Sequence, residues 1–209
     1  VLLLDSVFDG LAAAPRRALR DRLAALRRDD GLTVVERGGE PADLLADADD
    51  LAAFAADGRL LACDTPDRLW SAPPSLALAR ATGEVVVLPA EPIADDGPRP
   101  LVATALGRLR GHAAAPLAAA PLVVALRPER LVLADATTDS PDWNRFDAEF
   151  VAARLEGPTR RFTLRVGGTE IVLRRPDRGL HGLVLPGRLA LAVHADDVLV
   201  LPAADDGHA

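Results

Sequence analysis

Two styles of hydrophobic patterning divide this chain. Up to about residue 83, short unbroken apolar runs are separated by charged stretches with helical spacing. Val1–Leu4 is such a run and ends in Asp5. Unbroken apolar runs mark strands buried on both faces, as in parallel sheets. Residues 15–28 predict a helix, with Pro15 at its first position, Leu19, Leu23 and Leu26 along one face, and Arg27 and Arg28 in the last turn. Asp29-Asp30-Gly31 stops it, and Leu32–Val35 is a second short buried strand. Strand, helix and strand make a right-handed unit with parallel strands. A short helix is expected over 41–48. Apolar runs at 51–54 and 60–63 flank Asp57-Gly58, a hairpin signal. Thr65-Pro66 opens another helix through Trp70, and 75–82 predicts a further short one.

Beyond Gly83, β-type segments recur at 84–88, 100–103, 122–126, 130–133, 145–154, 159–166, 169–174, 188–193 and 197–201. Turn residues such as Gly167-Gly168 and Pro186-Gly187 separate them, which predicts a small barrel or sandwich. Phe162, Leu164 and Val166 alternate with Thr163 and Arg165, the signature of a half-buried strand. Residues 90–99 and 134–144 read as loops. The fold class is therefore α/β followed by all-β, with the boundary at about 84–90.

The chain of 209 residues is 49% hydrophobic, enough to bury a core. It has no Lys, so all 24 basic residues are Arg, and its net charge is −7. Acidic residues outnumber Arg both before and after residue 89, which argues against nucleic acid as a partner. The one cysteine, Cys63, lies in an apolar run, has no metal-ligand spacing around it, and is expected to be a small buried hydrophobe. No apolar stretch approaches the roughly 18–20 residues that span a bilayer, and the N-terminus has no basic signal-peptide region. Because Val1 opens inside a strand pattern, the expectation is a fragment with its upstream part missing.

The order of motifs carries a family likeness. Val1-Leu2-Leu3-Leu4-Asp5 resembles the Walker B strand of ABC-transporter ATPases. Where that family continues Glu-Pro-Phe and a Ser-Ala-Leu-Asp D-loop, this chain has Ser6-Val7-Phe8 and Asp9-Gly10-Leu11-Ala12. Gly31-Leu32-Thr33-Val34-Val35 resembles the next strand. The family's Phe-Val-Thr-His-Asp then becomes Glu36-Arg37-Gly38-Gly39-Glu40, so Gly39 stands at the switch histidine. Ala48-Asp49, Asp57-Gly58-Arg59-Leu60 and Thr65-Pro66 resemble later family landmarks. Ala125-Leu126-Arg127-Pro128-Glu129 and Asp196–Pro202 resemble motifs of the TOBE domain, an OB-like β module found on importer ATPases. The stretch 105–109 is closest to iron(III), polyamine or sugar importers.

The resemblance implies that residues 1–86 are the C-terminal portion of a P-loop NTPase (RecA-like) parallel-sheet domain, from Walker B onward. Residues 87–205 would then be an OB-like TOBE β-barrel. It implies ATP and Mg²⁺ as the full-length family's cofactors, with Asp5 linked to Mg²⁺ through water. Transmembrane permease subunits, and a second ATPase subunit in a homodimer or heterodimer, are the implied partners. The implied location is cytoplasmic, peripheral on the inner face of the cell membrane.

Phosphoryl transfer in this class needs a phosphate-cradling Gly-rich loop with a Lys, a metal-linked carboxylate and a residue that positions water. A chain without Lys supplies no P-loop Lys, and no G-x-x-x-x-G-K-[ST] or Leu-Ser-Gly-Gly-Gln run occurs. Ser6 replaces the catalytic Glu, and a hydroxyl is a poor general base where such help is worth about 10²–10⁴-fold. Gly39 offers no side chain, and Ala12 removes the D-loop carboxylate. Catalytic residues are therefore expected to be absent, with weak or no hydrolysis even at full length. Asp5 reads either as the metal-linked carboxylate or as a strand-ending cap.

His112, His181, His194 and His208 are scattered and read as loop or surface residues, Ser140 as a loop residue, and Trp70 and Trp143 as packing anchors. Arg160-Arg161 and Arg174-Arg175 form either a solvated face or an anion or regulatory-protein site. Three functions stay open: a piece of an importer's ATP-binding subunit, a non-catalytic regulatory or small-ligand module with a vestigial ATPase segment, and a decayed gene product.

Overall fold

The computed structural model describes residues 1–38, 40–55, 57–94, 99–113, 117, 121–177 and 187–203. The chain divides into two compact units, Val1–Trp70 and Ser71–Ala209.

The first unit opens with the predicted strand–helix–strand: β1 (Leu2–Asp5), α1 (Ala13–Asp30) and β2 (Val34–Arg37). β1 and β2 pair in parallel, from Leu2↔Val34 to Asp5↔Arg37. Gly31 ends α1 with φ of 63°, a left-handed conformation that costs glycine little. The helix begins at Ala13, so Pro15 is its third residue rather than its first. Amides throughout the first turn lack intrahelical acceptors, so a proline is tolerated there.

The expected burial is corrected in two places. Leu2, Leu4 and Val34 are half-buried, but Leu3 is 74% and Val35 54% exposed, so only one face of this two-stranded sheet is covered. An apolar run permits burial on both faces, and whether a second layer meets it is a tertiary matter. Along α1, Leu19 is exposed, while Arg16, Arg20, Leu23 and Arg27 are partly buried. Their i, i+4, i+7, i+11 spacing defines the inward face, and three of the four are arginines.

These arginines reach α2 (Pro41–Asp47) and its C-terminal end. Arg16 pairs with Asp43 at 3.4 Å, and Arg27 pairs with Asp49 and donates to the Asp47 carbonyl at 2.9 Å. Arg20 is the hub. Its guanidinium lies 4.4 Å from the Phe8 ring centroid, grips Glu36 of β2 through two nitrogens at 2.8 and 3.3 Å, and meets Asp47 at 3.1 Å. The planar fork and the stacking face together are what Arg offers and Lys does not.

β3 (Leu51–Phe54) and β4 (Leu60–Asp64) form the expected antiparallel hairpin, its turn made by Asp57 and by Gly58 at φ 86°. Cys63 is exposed, which corrects the buried reading: in a two-stranded ribbon alternate side chains have no layer over them. Helix α3 (Pro66–Ser71) follows, with Pro66 at its start.

The second unit is mostly β. Helix α4 (Leu76–Ala81) is capped by Ser75, whose hydroxyl accepts from the Leu78 amide. Ten strands follow: β5 (Val86–Ala94), β6 (Leu101–Thr104), β7 (Gly107–Arg110), β8 (Leu122–Leu126), β9 (Val132–Leu133), β10 (Trp143–Glu156), β11 (Thr159–Val166), β12 (Thr169–Pro176), β13 (Arg188–His194) and β14 (Val198–Pro202). They form two five-stranded antiparallel sheets, ordered β14-β8-β5-β6-β7 and β12-β11-β10-β13-β9. β7 was not expected from the sequence.

Leu88, Val102, Leu126, Leu164, Ile171 and Leu191 belong to one shared core. Every residue of β8 is buried, because Leu76 and Ala79 of α4 pack with Val123, Ala125, Leu199 and Leu201 in a second cluster. That packing places α4 in this unit, although the sequence groups it with the first domain. Asn144, nearly fully buried, joins the sheets: its Oδ1 accepts from the Arg110 amide at 2.7 Å and its Nδ2 donates to the Arg110 carbonyl at 2.8 Å. An amide pairing with a strand's free edge satisfies groups that would be costly to bury unpaired.

Two predictions follow from these contacts. Arg20→Ala leaves Glu36 half-buried without its partner, and about 2 kcal/mol of stability should be lost, read as faster amide exchange in α1 and β2. Arg20→Lys should recover only part, because it lacks the fork. At Gly111 an added Cβ would lie 2.5 Å from Val200 Cγ2 and 2.8 Å from the Val198 carbonyl oxygen. Gly111→Ala should therefore push β14 away and cost about 1–3 kcal/mol in urea unfolding.

Candidate functional site

The C-terminal ends of β1 and β2 lie side by side, because the parallel register sets Asp5 opposite Arg37. The C-terminal ends of parallel strands are where open α/β sheets meet ligands. Four residues define this edge. Asp5 accepts from Arg37 Nη1 at 3.1 Å on each carboxylate oxygen. Ser6 donates its hydroxyl to Asp5 Oδ1 at 3.2 Å and its amide to the Arg37 carbonyl at 2.7 Å. Both charged side chains are exposed, so their mutual attraction is screened and worth about 0–1 kcal/mol.

Ser6 has φ of 53°, the only positive φ among described residues other than glycine. Such a conformation is uncommon for a residue with a side chain. It turns the chain out of β1 and sets the Ser6 side chain against Gly38. A Cβ on Gly38, itself at φ 86°, would meet Ser6 Oγ at 2.6 Å and Ser6 Cα at 3.2 Å. The turns after β1 and β2 are thus fitted to each other at one serine and one glycine.

The structure brings Asp5 and Ser6 together, as their adjacency requires. Gly39 lies outside the described residues. Ala12 precedes α1 as its N-cap and makes no side-chain cap bond. In the sequence Arg37 and Gly38 stand only as replacements within a motif, with nothing local to mark either for this site. The signal that could have found them is the parallel register, which carries a residue at the end of one strand to the end of the next. Among the described residues no group of three or more His, Cys, Asp or Glu is placed to hold a metal ion.

In the second unit, the arginine pairs 160–161 and 174–175 face each other across β11 and β12, as Arg160↔Arg175 and Arg161↔Arg174. Carboxylates of the same chain occupy three of them. Glu84 takes Arg161 at 2.7 and 2.9 Å and Arg174 at 2.7 Å, and Arg160 pairs with Asp177 at 2.9 Å. Glu156 accepts from Arg154 at 2.6 Å and from Arg174 at 3.3 Å, and the Arg154 hydrogen bond holds its carboxyl below the usual range. This is an internal ion-pair chain that pins Glu84 to the sheet. Nearby, Arg127 is buried, donates to the Thr82 hydroxyl at 2.9 Å, and is lowered from its ordinary pKa by desolvation.

His194 stacks edge-on against Trp143 at 5.3 Å between centroids, and the His112 backbone bonds β14. His181 and His208 lie outside the described residues. The Ser140 carbonyl accepts from the Trp143 amide, a turn contact. No described helix is long and apolar enough to cross a membrane.

No family model matches the chain. It is 32% identical over 182 residues to the sulfate/thiosulfate import ATP-binding protein CysA of Xanthomonas campestris pv. campestris, covering 84% of this chain and 48% of that protein. It is 29% identical over 205 residues to the Fe(3+) ions import ATP-binding protein FbpC of Pseudomonas fluorescens, covering 91% of this chain and 52% of that protein. Among solved structures, the cytoplasmic molybdate-binding protein ModG with molybdate bound matches 56% of this chain and 95% of its own, with a TM-score of 0.46 at 19% identity. The chain is similar to the ATP-binding subunits of ABC importers, and it spans about half the length of the curated relatives it matches.

Proposed function

We propose that this chain is the C-terminal part of the ATP-binding subunit of an ABC importer, with weak or no ATP hydrolysis at its own half-site. In this reading the first unit is the portion of a P-loop NTPase domain from Walker B onward, and the second is the TOBE-like accessory module. The proposed cargo is a small solute such as iron(III), a polyamine or a sugar, and the names of the relatives above, sulfate/thiosulfate and Fe(3+) import proteins, support a solute of that size. Permease subunits and a second ATPase subunit are the proposed partners, at the cytoplasmic face of the membrane.

The observation that carries the loss of hydrolysis is the geometry of Ser6. The residue following the strand-end carboxylate would have to take a proton from water as phosphoryl transfer proceeds. Ser6 instead donates its own proton to Asp5 and is packed against Gly38. An unactivated hydroxyl so placed positions no water and accepts no proton at neutral pH. ATP and Mg²⁺, as the family's cofactors, would have to be held largely by residues that this chain does not contain.

The reading is tested by sequencing the DNA upstream of Val1 and expressing the whole reading frame. An open frame encoding a Lys- or Arg-bearing phosphate loop and a signature run is the expected result. ATP turnover by the purified dimer should then fall roughly 10²–10⁴-fold below the ~10 s⁻¹ typical of enzymes. Ordinary turnover would remove the claim of a silent half-site, and an upstream stop codon with a ribosome-binding site would remove the claim of a larger subunit.

A further inference from the structure

The resemblance implies a magnesium ion at Asp5, and the residues around Asp5 do not fit one. Mg²⁺ demands near-octahedral oxygen coordination and is held through carboxylates together with substrate phosphates. Here both oxygens of the Asp5 carboxylate face the same Arg37 nitrogen at 3.1 Å, and Oδ1 also accepts from Ser6. A guanidinium is a donor without lone pairs and carries its own positive charge. A divalent cation approaching Asp5 would have to displace Arg37 or sit beside it.

We propose that Arg37 is the resident cation of this strand end: it neutralises Asp5 in place of a metal and makes the edge independent of divalent cations. The proposal rests on Asp5 occupying the family's strand-end position. Three observations converge on it. The parallel register delivers Arg37 opposite Asp5. The Ser6 amide bonds the Arg37 carbonyl at 2.7 Å, which fixes the backbone from which the arginine reaches over. Gly38 lets the turn after Arg37 close onto Ser6, and any side chain there would meet Ser6 within 2.6 Å. Ser6, Arg37 and Gly38 therefore act as one set. A glutamate introduced at residue 6 alone would add a second carboxylate next to Asp5 in the chain while Arg37 still held the first. A dication about 5 Å from a guanidinium in water is repelled enough to weaken binding by roughly tenfold, so Arg37 by itself can set the difference.

The test uses the isotope-labelled chain and Mn²⁺ as a paramagnetic probe for Mg²⁺, read as broadening of assigned amide signals. In the natural chain, the amides of Asp5–Phe8 should broaden no more than those beside other exposed carboxylates such as Asp67. In Arg37→Ala, and in Arg37→Gln, which keeps most of the stem, the same amides should broaden at roughly tenfold lower Mn²⁺. Adding Asp5→Asn to either variant should abolish that gain. Selective broadening at residues 5–8 in the natural chain would overturn the proposal, because Asp5 would then hold a cation despite Arg37. Equal insensitivity in the natural chain and both Arg37 variants would also overturn it, since Arg37 would not be what excludes the ion. Neither readout involves nucleotide turnover or the upstream sequence, so its failure is distinct from failure of the importer reading.

Discussion

The first unit depends on one side chain, Arg20. Among the described residues of that unit, Phe8 and Leu69 are the only fully buried apolar side chains, so hydrophobic burial alone holds little of it together. Arg20 ties four segments in a single contact set: the turn after β1 through Phe8, β2 through Glu36, α2 through Asp43 and Asp47, and its own helix α1. Its side chain is 10% exposed, and Glu36 beside it is 14% exposed, so the charges have lost much of their water and must be matched. The strand-end site inherits its position from this arrangement. Glu36 and Arg37 are neighbours in β2, so fixing one on the helix side sends the other to the open edge opposite Asp5.

The two units are stabilised by different physics. The second has a continuous apolar core and a helix that closes the far side of β8. Buried Asn144 is matched by the backbone of Arg110. Three of the four arginines that in sequence read either as a solvated face or as an anion or regulatory-protein site, Arg160, Arg161 and Arg174, are paired with Asp177, Glu84 and Glu156. An alternating row of charges can keep like-charged arginines opposite each other on adjacent strands, where they would otherwise repel.

How much of this was legible in the sequence depends on the range of the interaction. The strand–helix–strand order, the Asp57-Gly58 turn and most strands of the second unit are set by local periodicity and turn chemistry, and they were read correctly. β7 was missed because Gly107-Arg108-Leu109-Arg110 has no β-branched residue, and its pairing is imposed by the turn at Gly107 and by Asn144 from β10. Leu19 and the inward arginines of α1 were misassigned because helical spacing gives faces, whereas the acidic α2 decides which face turns inward. Cys63 and the outer faces of β1 and β2 failed for a related reason, since apolar character does not show whether a covering layer is present. At the site, Asp5 and Ser6 were found by position, but Arg37 and Gly38 act across a gap of more than thirty residues that only the parallel register closes.

That register also couples the residues of this edge to one another. An exposed carboxylate at a strand end can take a counter-charge, and a metal ion with its water shell is one form of it. An arginine on the neighbouring strand is another, and it requires no ligand. Ser6 then bonds Asp5 through its hydroxyl, and a glycine is favoured at residue 38, where the turn must close against Ser6. Asp5, Ser6, Arg37 and Gly38 are consistent as one coupled set. On this view the strand end carries its own counter-charge and requires no ligand.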